Sequence, residues 1–135
     1  MNELALWIVR GSAIYHLAMG AASMLSFRWI AWMSNRLYAL KVPEKIDSGF
    51  EYGLKPLGAF AIVVGIWCLR AGWFSETPGE LLTVKLSLTL LFTLRAVFRT
   101  IHRDLFFRAS GVSWSRSRWN VLFNAFLAVI LLMGI

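Results

Sequence analysis

Four apolar stretches account for most of this 135-residue chain, at residues 4–25, 54–73, 81–98 and 119–135. Each approaches the ~20 residues an α-helix needs to cross a hydrocarbon core of ~30 Å. In lipid the backbone must satisfy its own hydrogen bonds within a segment, so such stretches fold as helices. With 59% hydrophobic and 16% charged residues, the chain lacks the polar surface to keep four such helices in water. The expected fold is all-α: a four-helix transmembrane bundle forming one domain over residues 1–135, with an interfacial amphipathic helix after the first span.

Charge sets the expected orientation. Arg28, Arg36, Lys41, Lys45 and Lys55 lie in or beside the first connection, and Arg99, Arg103, Arg108, Arg116 and Arg118 flank the third. The opposite side holds Arg10, Arg70 and Lys85, a ratio of ten to three with Arg95 set apart as intramembrane. The positive-inside rule places the richer side in the cytoplasm and both termini away from it, with a bacterial inner membrane as the expected location. The net charge of +7 is thereby read as topology and attraction to anionic lipid headgroups, not as a nucleic-acid footprint. An acid at Glu3 and the interruption by Arg10 argue against a cleavable signal.

Local patterns give the element boundaries. In residues 27–41, Ile30, Met33, Leu37 and Leu40 share one helical face while Trp29, Trp32 and Tyr38 favour the headgroup level, which predicts a helix lying on the leaflet and stopping at Val42-Pro43. Residues 44–53 read as a polar loop or short surface helix, with Pro56 near the start of the second span. Thr77-Pro78-Gly79-Glu80 predicts a helix start with Thr77 as N-cap and Glu80 completing a capping box. The next stop signal is Ser110-Gly111, so a single helix over 78–109 is expected, projecting into the cytoplasm, with Asp104 pairing with Arg108 on it. Residues 112–118 read as a tight basic loop.

Small and polar residues inside the spans mark the candidate contacts. Gly58, Gly65 and Gly72 recur every seven residues with Ala61 and Cys68 between them, a seam that admits another helix closely. Gly11, Ala18 and Ala22 offer the same on the first span. Polar stripes run through Ser12, His16, Gly20 and Ser23, through Lys85, Thr89, Thr93, Ala96 and Thr100, and through Asn120, Asn124 and Ala128. Their convergence is read as packing glue, or as a cofactor site built from His16, Thr89, Thr93 and Asn124. Arg95 and Arg99, one turn apart, are read as snorkelling cations or as a headgroup or anion site with Arg116 and Asn120 beside them. Cys68, alone, forms no intrachain disulfide or thiolate site.

No metal-ligand spacing, phosphate loop or nucleophile–base arrangement is present in the sequence, and no acid lies within a span, which tells against proton-coupled transport. With a first span bearing Gly11 and Gly20, a long segment after it, a glycine-rich second span from Leu57-Gly58 through Gly65, and basic residues closing the third, the whole chain resembles the DoxX-like small four-helix membrane proteins in layout. That resemblance implies four-helix topology and association with a larger membrane complex, and it carries over no catalytic residue. The functional expectation is a non-catalytic accessory or assembly subunit, packing against other membrane proteins or itself and needing no cofactor. The alternatives are a binding or redox module holding a quinone, lipid or haem near His16, and a minimal oligomeric transporter. A reporter active only in the cytoplasm, fused after Ile135, is expected to stay silent; strong activity there would reverse the topology.

Overall fold

The computed structural model describes residues 3–38 and 48–135, and within them all regular structure is helical. The elements are α1 (Glu3–Leu25), α2 (Phe27–Tyr38), α3 (Ser48–Trp73), α4 (Pro78–Ile101), α5 (Arg103–Ser110) and α6 (Trp114–Met133). Three are long and apolar enough to cross a membrane: α1, residues Tyr52–Trp73 of α3, and α4. The expected fourth span, α6, falls outside that set, because its first turns carry Ser115, Arg116, Ser117 and Arg118. The apolar side chains that remain exposed, such as Leu57, Phe60 and Val63 on α3 and Phe126 and Val129 on α6, are of the kind lipid accommodates.

Two antiparallel pairs make up the bundle, α1 with α3 and α4 with α6. The glycine seam is the contact within the first pair. A Cβ built on Gly72 would meet Arg10, one on Gly65 would meet Leu17, and one on Gly58 would meet Ser23 and Met24. Arg10, Leu17 and Met24 are themselves seven apart, so the two helices run in register over two heptads. The backbones touch where Gly20 faces Gly58: a Cβ on Gly20 would lie 2.7 Å from the Gly58 oxygen and 2.9 Å from the Ile62 nitrogen. Gly11 does not belong to this seam, since a Cβ there would meet nothing within 4 Å. Its place is taken by Gly20 and the buried Ala22, while Ala61 is half-buried along α3 and Ala18 is exposed.

The two pairs join near the α3–α4 turn. Val9 and Ala13 of α1, Cys68 of α3, Val84 and Leu88 of α4 and Leu131 of α6 form the centre of the core there. Polar contacts close the same end. Arg10 Nε donates to the Gly72 oxygen at 2.9 Å, with its guanidinium 5.3 Å from the centroid of the Trp7 ring and 5.2 Å from that of Trp73. Arg70 pairs with Glu80 at 2.8 Å. Lys85, buried, donates from Nζ to the Gly134 oxygen at 2.6 Å. The last carbonyls of a helix have no intrahelical partner and carry partial negative charge, so the end of α6 is a place where a buried ammonium is tolerated.

Several boundaries differ from those read in the sequence. Thr77 is the N-cap and Pro78 the first helical residue, but the Thr77 side chain makes no capping bond, and Glu80 turns to Arg70 instead of completing a box. The expected 78–109 helix is broken at His102 (φ −99°, ψ 28°), which separates α4 from α5. The stop at Gly111 holds: its φ of 67° is left-handed, and its N–H reaches the Phe107 oxygen at 2.8 Å. Asp104 lies 3.7 Å from its neighbour Arg103, an exposed pair, in place of Arg108. Trp114 to Arg118 are helical and begin α6, not a loop. Residues 48–53 continue α3 backwards, so Pro56 is inside that helix. On α2 the apolar side is turned inward, with Ile30 and Ser34 buried, while Arg28, Trp29, Trp32 and Arg36 are exposed. The expected end of α2 at 39–41, its stop at Val42-Pro43 and the polar residues 44–47 lie outside the described residues.

The Gly20 contact gives a graded prediction. Gly20→Ala must push backbone from backbone and is expected to destabilise the chain by about 1–3 kcal/mol. In Gly72→Ala the new Cβ meets the movable Cγ of Arg10 at 3.1 Å, so a smaller loss is expected. Thermal unfolding in detergent checks the order; equal stability of wild type and Gly20→Ala would separate α1 from α3.

Candidate functional site

The Lys85–Gly134 hydrogen bond fixes how α4 and α6 run past each other. Counting seven, ten and fourteen residues along α4 from Lys85 gives Phe92, Arg95 and Arg99, and counting the same back along α6 from Gly134 gives Leu127, Asn124 and Asn120. The antiparallel pair therefore stacks Phe92 level with Leu127, Arg95 with Asn124, and Arg99 with Asn120. All six line one cavity of about 650 Å³, and Ile8, Gly11, Ser12 and Tyr15 of α1 and Phe123 of α6 complete its wall. The volume lies within the ~300–1,000 Å³ typical of small-molecule sites.

Position along the helices divides most of the lining by polarity, with Phe123 an apolar member between Asn120 and Asn124. Ile8, Phe92 and Leu127 border the packed core, whereas Arg95, Arg99, Asn120 and Tyr15 lie toward the opposite end of the bundle, where α5 and the start of α6 are. From Phe92 to Arg99 the rise is seven residues, about 10 Å at 1.5 Å per residue. The Arg95 guanidinium lies 5.9 Å from the centroid of the Tyr15 ring. Asn124 donates from Nδ2 to the Asn120 backbone oxygen at 2.7 Å and to its Oδ1 at 3.0 Å, which holds the two amides as a unit. The lining contains no Asp, Glu, His or Cys.

Of the residues expected to hold a cofactor, Asn124 lines the cavity and His16, Thr89 and Thr93 do not. Thr89 bonds back to the Lys85 oxygen at 2.8 Å, and Thr93 is exposed. A four-residue step overshoots the 3.6-residue turn by about 40°, so two steps carry Thr93 about 80° away from Lys85. The buried stripe of α4 instead follows Val84, Leu88, Phe92 and Ala96. Of the expected anion contacts, Arg95 and Arg99 are brought together with Asn120, while Arg116 is exposed at the start of α6 and does not line the cavity.

His16 is buried one residue along from Tyr15, its ring standing edge-on to the Tyr15 ring at 5.0 Å between centroids. Its Nδ1 is 2.7 Å from the Ser12 oxygen. A carbonyl only accepts, so Nδ1 donates here, and Nε2 has no partner among the described residues. His102, the other imidazole, is exposed and stacks on Phe98 at 5.7 Å between centroids. Among the described residues no group of three or more His, Cys, Asp or Glu side chains gathers as a metal site would need.

Tyr15, Phe92 and Phe123 were not singled out by the sequence, although a signal for them exists. Ile8, Gly11, Ser12 and Tyr15 repeat at i, i+3, i+4 and i+7, as do Asn120, Phe123, Asn124 and Leu127, and Phe92, Arg95 and Arg99 fit the same spacing. No protein family model, no curated protein and no solved structure matches this chain.

Replacing His16 separates hydrogen bonding from ligation. His16→Leu removes a second donor to the Ser12 oxygen, which keeps its helical N–H, and is expected to cost about 1 kcal/mol, with His16→Gln costing less. Thermal unfolding and a visible absorbance spectrum check this; a haem band in the wild type lost equally in both variants would make the ring an iron ligand.

Proposed function

We propose that this chain is a four-span integral membrane protein whose role is binding: the cavity between α1, α4 and α6 holds an amphiphilic molecule drawn from the bilayer. The observation that carries the reading is the cavity itself, with Ile8, Phe92 and Leu127 at one end and arginines and amides, with Phe123 among them, at the other. The four-span topology is supported by the length over which α6 keeps register with α4, from Gly134 to Asn120, since a helix paired that far along a span shares its depth. The lining chemistry favours binding over catalysis. Arginine keeps its charge at any working pH, and amides and hydroxyls orient a ligand without exchanging protons at neutral pH.

In a larger membrane assembly, the chain would serve as a small accessory subunit that brings its ligand with it. The glycine seam is taken up by α1 of the same chain, so a partner subunit would meet other faces of the bundle.

Gly11 supplies the test. It lines the cavity, and a Cβ there meets nothing within 4 Å, so Gly11→Phe would fill the space without displacing backbone. Purification in mild detergent followed by mass analysis of extracted small molecules is expected to recover an amphiphile with the wild type, several-fold less with Gly11→Phe, and the same melting temperature for both. Equal recovery from the two proteins would place binding elsewhere.

A further inference from the structure

We propose that α5 is a surface helix of the membrane: it lies along the leaflet at which α4 ends, with Leu105 turned into the lipid and Arg103 and Arg108 on anionic headgroups. This rests on α4 crossing the membrane and is independent of what the cavity holds. The 24 residues of α4 rise about 36 Å, more than the ~30 Å hydrocarbon core, so α5 begins where that core ends. The departure of His102 from helical dihedrals gives α5 its own axis there.

α5 has eight residues, and each of its described side chains is exposed: Arg103, Asp104, Leu105, Phe107 and Arg108. Helices shorter than ~12–15 residues are marginal in water unless a face is packed. α2 has such a face, with Ile30 and Ser34 buried, whereas α5 needs a surface to lie on. Its ends keep it at the membrane boundary, since it continues from α4 and is followed by the Gly111 cap and the buried Val112. Five steps of 100° set Arg103 and Arg108 about 140° apart around the helix. Leu105 falls in the wider arc between them, and Asp104 and Phe107 in the narrower one. With the wider arc toward lipid, both arginines flank it at headgroup height, their aliphatic stems over the acyl boundary, and Asp104 is turned to water. The Arg103–Asp104 pair, exposed and 3.7 Å long, is too weak to hold Arg103 back. Residues 99–118 hold five arginines and one acid, a charge complementary to an anionic leaflet.

The full chain can be reconstituted in vesicles of dioleoyl phosphatidylcholine, alone or mixed one to one with dioleoyl phosphatidylglycerol. Amide hydrogen exchange over residues 103–110 of the wild type is expected to be at least about fivefold slower in the mixed vesicles, the scale of one well-placed arginine. Arg103→Gln combined with Arg108→Gln should remove most of that difference. Spin labels on Leu105→Cys and on Asp104→Cys, each with Cys68→Ala, resolve the face. The label at 105 should collide more with oxygen than with a water-soluble nickel chelate, and the label at 104 the reverse. Equal exchange in the two kinds of vesicle would overturn the headgroup contact, and chelate reaching both labels alike would put α5 in water. A label at 105 closed to oxygen and chelate together would overturn the proposal in favour of a second copy of this chain covering the helix. The exchange comparison uses the unaltered chain, so it stands if a labelled variant fails to fold. None of these outcomes alters the Gly11→Phe comparison, which tests the cavity by itself.

Discussion

The approach of α1 to α3 at Gly20 and Gly58 is the constraint on which the arrangement depends. In lipid there is no hydrophobic gain from pairing two apolar helices, so association rests on dispersion contacts and on how closely backbones can come. Glycine on both sides lets the carbonyl of each helix reach the other, and the heptad match of Gly58, Gly65 and Gly72 with Met24, Leu17 and Arg10 carries that closeness along the helices. Once α1 and α3 are locked on this face, the next face of α1 is left for the second pair. Ala5, Val9 and Ala13 meet α4 and α6 near the turn, and Ile8, Gly11, Ser12 and Tyr15 line an open space further along. The cavity follows from a bundle that is filled with core side chains at one end and not at the other.

Two polar latches at the filled end set the register that the site inherits. Arg10 on the Gly72 oxygen and Lys85 on the Gly134 oxygen each join a cation to a backbone carbonyl at the end of a partner helix. Such a carbonyl lacks an intrahelical donor and lies at the negative end of the helix dipole. The cost of bringing a cation out of water is thus offset where the carbonyl must be satisfied anyway. Seven to fourteen residues further along, the Lys85 latch determines which α6 residue each arginine faces, so a contact at one end of the bundle positions the chemistry at the other.

Polarity within the spans divides into two kinds. Ser23, Thr83, Ser87, Thr89 and Thr100 return their hydroxyls to the carbonyl four residues earlier, which uses each one's single donor within its own helix. The charged residues act between helices instead: Arg95 of α4 lies by the Tyr15 ring of α1, and Arg99 lines the same cavity beside Asn120 of α6. Intramembrane charge is costly and persists where a partner or function holds it. On α4, Thr89 and Thr93 lie outside the cavity lining while Arg95 and Arg99 belong to it.

The sequence alone determined that the chain is helical, where its long apolar segments lie, that Gly58, Gly65 and Gly72 form a contact seam, and that Pro78 and Gly111 bound helices. These follow from periodicity and from residues whose backbone preferences are local. It also suggested Arg95, Arg99 and Arg116, with Asn120, as a candidate headgroup or anion site; Arg95, Arg99 and Asn120 share one cavity and Arg116 lies outside it. The break at His102 was not legible, because no glycine or proline marks it. Only the tertiary structure decided that Glu80 leaves its own helix start for Arg70, that the apolar side of α2 turns inward, and that Gly11 opens onto a cavity while Gly20 closes against α3. Each of these depends on which neighbour a helix face meets. Two glycines nine residues apart on α1 look alike in sequence, yet they lie about 180° apart around the helix, and only packing tells which side is filled.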